Sequence, residues 1–391
     1  MAHRSLSLRR LSAASLILAS AMLSATATAA ASPVAEEPES CAPPGLSAAA
    51  KISGLAGDTF SSDELDQLIS THIAKAGIAG ISVAVINHGQ LVYSHATGVA
   101  ESGRGQPVTD CTIFEGASIT KPLFGHFVMT FVADGSLDLD RPLADYLAHP
   151  DLADDPRSRL LTARMVLSHR TGLPNWRDDE PEGRLHFRFT PGEGFSYSGE
   201  AYQYLALVLQ KIAGVDGPGL EALFQERIAR PSGMKRTQII PAQELLAHKA
   251  TPHGDDGKPA RSWVYDGTFG AAFGVNSHAP DFARWLASLM QEKLPPAGLP
   301  EEMLRLYLSP QPVEVPYNPA NDPLQIGPPA IALGFFLNDL PGLGRLYHHD
   351  GNNPGFSSLI LMHPQSAWGF VAFANSNQAT TSLLELAMMI N

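Results

Sequence analysis

Strand-like runs lie at both ends of this chain, and the stretch between them reads as helices and loops. Near the start, "GISVAVINHGQLVYSHATGVA" (80–100) holds two apolar, β-branched runs on either side of a glycine-containing turn, which is an antiparallel hairpin. Near the end, "IALGFFLNDL", "GRLYHHD", "GFSSLILMH" and "WGFVAFANS" have the same character, and "TTSLLELAMMI" closes the chain as a helix. Between them, apolar residues at helical spacing predict helices at 119–134, 199–212, 219–230 and 279–292. The economical arrangement is an α/β fold of the α+β type. One antiparallel sheet is built from both termini (about 59–115 and 331–391), flanked by terminal helices, with a mainly helical region (about 116–330) inserted.

The chain has 391 residues, 44% of them hydrophobic and 17% charged, enough to bury a large core. Its first 31 residues stand apart: "MAHRSLSLRR" is basic, "LSAASLILASAML" is apolar, and small residues follow, the pattern of a cleaved secretory signal. Leu11–Leu23 is too short for a bilayer span. Loss of Arg4, Arg9 and Arg10, with no acid in that segment, takes the formal charge from -12 to -15. Such acidity argues against nucleic-acid partners and anionic membrane surfaces, leaving a small-molecule or peptide substrate and a periplasmic or secreted location. Residues 32–58 read as a flexible lead-in to a domain at 59–391. Order begins at "FSSDEL", where Ser61 and Glu64 form a capping box, Phe60 can staple onto Leu65, and Gly77 is the stop. Cys41 and Cys111 either pair, as an oxidising compartment allows, or remain two thiols. Their spacing is not that of a metal site.

The segment "FEGASITKPLFGHFVMTFVADG" sets a serine three residues before a lysine. Pro122 lacks an N–H and is tolerated only in a helix's first turn, so the helix starts near Ser118, and Ser118 and Lys121 share one face. A serine there has backbone N–H groups and the positive end of the helix beside it, and an uncharged lysine can take its proton. That demands a pKa brought from about 10.4 to about 7, by burial or a nearby cation. Spacing alone is weak evidence, since Ser232 and Lys235 share it, with Gly233 between them in a turn. In "TPGEGFSYSGEAYQYL", Ser198 caps a helix and Tyr197 precedes it, placed either to relay a proton or to pack on Tyr202. In "GRLYHHDGNNPGF", Tyr347 and His349 share a strand face, and Gly351 lets backbone approach a ligand. His349 can orient a substrate carboxylate or carbonyl while a backbone N–H binds an oxyanion; alternatively, this is a polar turn with a partly buried histidine. No G-x-S-x-G, H-E-x-x-H or phosphate-binding glycine loop occurs.

In order, Ser-x-x-Lys, the tyrosine segment and His-x-Gly resemble the serine beta-lactamase and penicillin-binding-protein-like superfamily, in the branch of class C beta-lactamases, D-alanyl-D-alanine carboxypeptidases, D-aminopeptidases and esterases. "LTARMVLSHRTGLPNW", "IARPSGMKRT" and "GVNSHAPDFARWL" resemble it too, and the likeness covers roughly residues 62–391. It implies a cofactor-free serine hydrolase with Ser118 acylated, Lys121 as base, Tyr197 as proton relay and the N–H groups of Ser118 and Asn352 as oxyanion donors. A non-hydrolytic binder or sensor on the same fold is the alternative; a metal-dependent hydrolase lacks any ligand spacing. Two departures stand out: Gly199 replaces an asparagine of class C beta-lactamases, and His349-Asp350-Gly351 replaces Lys-Thr-Gly. Both favour an ester, amide or peptide substrate over a beta-lactam. Loops 176–190 and 310–330 are expected to line the pocket, without a code for its ligand.

Overall fold

In a computed structural model, residues 41, 46, 51–261, 265–290, 299–319 and 327–390 are described. The secretory-signal reading of residues 1–31 lies outside them, as does part of the 310–330 loop. Among the described residues no helix is long and apolar enough to cross a membrane.

The first elements are β1 (Ile52–Ser53), β2 (Thr59–Phe60) and α1 (Ser62–Ala76). Ser61 and Glu64 make the capping box in both directions, and Gly77 ends α1 in the left-handed region. Residues 51–58, within the expected flexible lead-in, behave otherwise. Ile52 is fully buried and β1 pairs with β2. The physical reason is the apolar side chain of Ile52, which packs in one cluster with Leu65 and Ile69 of α1.

The hairpin is β3 (Gly80–Asn87) and β4 (Gln90–Glu101), turned by His88 and Gly89, both at positive φ, the geometry that matches strand twist in a two-residue loop. After β5 (Gln106–Pro107) and β6 (Phe114–Glu115), a 3-10 turn at Ala117–Ile119 leads into α2 (Thr120–Ala133), with Pro122 in its first turn. The inserted region holds α3 (Ala163–Leu167), α4 (Gly199–Ala213), α5 (Gly217–Phe224), α6 (Gln243–Leu246), β7 (Asn276–Ser277), α7 (Ala279–Met290) and α8 (Glu301–Tyr307). The helix expected at 219–230 is α5 continued as a π-helical segment over Gln225–Ala229. The chain then returns through β8 (Ala330–Ile331), β9 (Phe336–Leu340), β10 (Gly344–Asn353), β11 (Phe356–His363), β12 (Trp368–Ala374) and α9 (Thr380–Met389).

Eight of the strands form one antiparallel sheet in the order β5-β4-β3-β12-β11-β10-β9-β8, so N- and C-terminal strands meet at β3 and β12, while β1 pairs with β2 and β6 with β7 apart from it. Its two faces are read from strict alternation. Ile81, Val83 and Val85 of β3 and Phe370 and Ala372 of β12 pack with α1 and α9 residues. Ala84, Ile86, Val371 and Phe373 join the larger cluster with α2, α4 and α7. Helix α2 is buried almost throughout, which holds its N-terminus rigidly against the sheet. Pairing of β9 with β10 stops at Phe336 and His348, so β10 runs past its neighbour from His349 onward.

Candidate active site

The turn before α2 is a strained, heavily braced piece of backbone. Ala117, next to Ser118, has φ 47, a region that costs a residue with a Cβ about 1–3 kcal/mol. Bonds on several sides hold it. The Thr120 hydroxyl donates to Ala117 O (2.5 Å), Val275 N–H donates to Thr120 Oγ1 (3.1 Å), and Gly116 N–H donates to Val275 O (2.8 Å). Ser358 of β11 adds a bond from its hydroxyl to Gly116 O (2.6 Å). Within the run Thr112–Met129, Ser118 alone is part-exposed while its neighbours are buried, so it is the residue this turn presents.

Lys121, 1% exposed, donates from Nζ to Ser118 Oγ at 3.1 Å and to the Ala272 carbonyl at 2.8 Å. Burial brings its pKa from 10.5 to about 7, against the opposing pull of Asp350, and so makes a neutral amine accessible near neutral pH. Its Nζ also lies 4.5 Å from the centre of the Tyr197 ring.

Tyr197 precedes the Ser198 cap of α4, whose hydroxyl accepts from Ala201 N–H at 3.0 Å. The Tyr197 hydroxyl shares a hydrogen bond with Ser118. Burial pushes its pKa up, and that bond and the Asp350 charge pull in opposite directions, so the phenol stays protonated. The ring packs with His169, 4.3 Å away between centroids, and with Phe336, 6.5 Å away and near-parallel.

Gly351 brings β10 against the serine. A Cβ there would lie 2.9 Å from Ser118 N and 2.5 Å from Ser358 Oγ, and closer still to Gly116 O. Asn352 is exposed, and its side chain turns away to Thr380, donating from Nδ2 to Oγ1 at 2.9 Å. His349 is 2% exposed, with Nδ1 2.6 Å from the Asp350 carbonyl. Burial first, then the Lys121 charge, drops its pKa to about 3, so the ring is neutral. It lies 6.3 Å from the Tyr197 ring. The serine, lysine, tyrosine, histidine and glycine singled out from the sequence therefore meet in one place, with the Asn352 side chain directed elsewhere. Cys41 and Cys111 are joined as a disulfide, Cα atoms 5.0 Å apart.

Three contributors escape a reading by spacing. His169, fully buried at φ 55, accepts from Ser198 N–H on Nδ1 (3.1 Å) and supports the tyrosine ring. Its signal was "SHRTG", which carries no spacing rule. Ala272 supplies the carbonyl for Lys121 from a loop 151 residues away in sequence. Trp176 covers Gly199, and the glycine itself was the signal. Among the described residues no group of three or more His, Cys, Asp or Glu is placed to hold a metal ion.

A covered antiparallel sheet, with a serine and a buried lysine at the start of a core helix, defines a beta-lactamase-like fold. The Beta-lactamase family profile matches residues 65–389, and the chain belongs to that family. Esterase EstB of Burkholderia gladioli is 30% identical over 231 residues, spanning 52% of this chain and 57% of that protein. Protein flp of Staphylococcus aureus (strain N315) is 22% identical over 339 residues, 81% of this chain and 64% of its own length. The chain thus spans less than two thirds of either relative. Among solved structures, a class C beta-lactamase superposes with a TM-score of 0.69 at 20% identity, over 84% of this chain and 95% of that one. D-alanine carboxypeptidase AmpC from Burkholderia cenocepacia superposes at 0.68 and 20% identity, over 84% and 97%. These superpositions establish the fold.

Proposed function

We propose that this protein is an exported serine hydrolase that cleaves uncharged carboxylic esters through an acyl-enzyme on Ser118. The observation that carries the reading is the 3.1 Å contact between Ser118 Oγ and a buried amine whose pKa lies at about 7. In its neutral form Lys121 Nζ accepts the Ser118 proton as Oγ attacks the acyl carbon. The oxyanion formed on the carbonyl oxygen is met by the backbone N–H groups of Ser118 and Asn352, on the two segments that Gly351 lets approach. Tyr197, held protonated, gives its proton to the departing alkoxide and regains one from the Lys121 ammonium. The alcohol leaves and Ser118 carries the acyl group. Water then attacks the acyl carbon, its proton passes to Lys121, and the carboxylic acid is released as Ser118 recovers its hydrogen. The sum is ester plus water to acid plus alcohol.

An ester is favoured over a penicillin or a peptide ending in a free carboxylate because the strand beside Ser118 offers no steady cation. His349 is neutral, and its neighbour is the acidic Asp350. Likeness to an esterase supports the same choice. Export is supported by the basic, apolar and small-residue succession in residues 1–31 and by the Cys41–Cys111 bond, which suits an oxidising compartment. The test is intact-mass measurement after mixing with activated esters, beta-lactams and a D-Ala-D-Ala peptide, with Ser118→Ala as control. An acyl adduct from esters, absent in the control, is expected. Binding without adduct or turnover by any of them would replace this reading with that of a non-hydrolytic binder.

A further inference from the structure

The segment 174–177 is bound along its length to the start of α4. The Ser198 hydroxyl donates to Pro174 O (2.6 Å), and Gly199 and Glu200 N–H groups donate to Asn175 O (3.1 and 3.0 Å). On the other side of Trp176, Arg177 grips Glu200 with Nε and Nη2 (3.0 and 2.8 Å). The indole between these clamps has its backbone fixed on both sides.

It lies on Gly199. A Cβ built at 199 would sit within 2.8 Å of three atoms of the Trp176 ring, Cη2, Cζ2 and Cζ3, which no real side chain tolerates. The intervening Ser198 is extended (φ -139, ψ 111), so positions 197 and 199 project to the same side, the side on which Tyr197 reaches Ser118. The half-buried Trp176 meets Phe273 edge-on, 5.6 Å between centroids. Phe273 directly follows Ala272, the carbonyl partner of Lys121. Two aromatic rings thus close the space between the tyrosine segment and the lysine's loop.

We propose that Trp176, backed by Phe273, is the specificity-determining wall for the acyl half of the substrate, excluding a polar side chain from position 199 and restricting the enzyme to esters of short, apolar acyl groups. The proposal rests on the acyl-enzyme reading above and names the substrate class for it. An acyl chain attached to Ser118 that extends past Tyr197 runs into the indole. An aromatic surface there offers contact area to a short alkyl group and no amide for a polar acylamino side chain.

The experiment compares kcat/KM for p-nitrophenyl acetate, butyrate and octanoate in the wild type, Trp176→Ala and Trp176→Phe. The octanoate-to-acetate ratio is expected to rise about tenfold in Trp176→Ala, the discrimination that one or two methylenes supply in an apolar pocket, and less in Trp176→Phe. An unchanged ratio in active variants overturns the wall. Should Trp176→Ala fail to fold, Trp176→Phe and Trp176→Leu carry the same comparison. A second measurement reads the packing without catalysis. Gly199→Ala should lower Tm, and Trp176→Ala should relieve that loss in the double variant; a loss that persists overturns the steric claim. If the wild type turns over no ester and forms no Ser118 adduct, the acyl-enzyme reading falls, an outcome distinct from an active enzyme with an unaltered ratio.

Discussion

Replacing Lys121 with methionine removes a buried amine and keeps an unbranched side chain of similar length. In the folded protein burial holds the amine near pKa 7, while in the unfolded chain it returns to 10.5. At about 1.4 kcal/mol per pH unit, that difference makes the protonated lysine a burden of about 5 kcal/mol on the fold. The burden is complete below about pH 7, where both states hold the proton, and shrinks as pH rises, because the unfolded chain keeps a proton that the folded one has released. Against it stand the hydrogen bonds to Ser118 and Ala272, each worth about 1 kcal/mol net, with a further cost for the Ala272 carbonyl left without its donor. Lys121→Met is therefore expected to be more stable than the wild type by about 2 kcal/mol near pH 6. The wild type should then gain on it by about 3 kcal/mol between pH 7 and about pH 9.5. Urea unfolding across this range measures the difference. In parallel, wild-type kcat/KM should rise with pH through about 7, the pKa of the base, and the variant should lose about 10²- to 10⁴-fold. A stability difference that does not change with pH would refute the claim that burial depresses this lysine; a rising limb retained in the methionine variant would refute its role as base.

Asp350→Asn removes a charge that favours the Lys121 ammonium, so the acid limb of the pH–rate profile should move to lower pH; movement to higher pH would contradict the electrostatics. Tyr197→Phe keeps the ring against His169 and Phe336 while deleting the hydroxyl proposed to relay a proton, so kcat should fall by about 10²-fold or more with Tm little changed, measured by ester hydrolysis and calorimetry. Gly351→Ala places a methyl 2.9 Å from Ser118 N, and a displacement of β10 by about 1 Å should cost about 10²-fold in kcat, with a smaller effect on KM. Serine at both Cys41 and Cys111 opens a bond that closes a 70-residue separation; a loss of about 4 kcal/mol is expected, and the wild type, unlike the variant, should lose Tm under reductant.

Local chemistry was legible in the sequence because it is local. The α1 capping box depends on residues three apart, and the α2 start depends on a proline that cannot sit deeper in a helix. Apolar, β-branched runs at both ends of the chain, one pair joined by a glycine-containing turn, predict one antiparallel sheet built from both termini, and the sheet has that composition. At residues 51–58 composition, weighted by Pro, Ala, Glu and Gly, predicts a flexible lead-in, whereas the fold buries the side chain of Ile52 completely.

By itself the sequence determined which residue types stand where a helix begins or a strand bends: a serine and lysine on one helix face, a tyrosine before a cap, and a glycine on a strand. Only the tertiary structure decided what those groups are. Full burial beside a carbonyl 151 residues away brings the Lys121 pKa down to about 7, and His349 is kept neutral by burial as well. Gly199 records an indole lying across it. Desolvation and steric exclusion depend on what surrounds an atom from every direction, and a linear spacing rule describes only one of them.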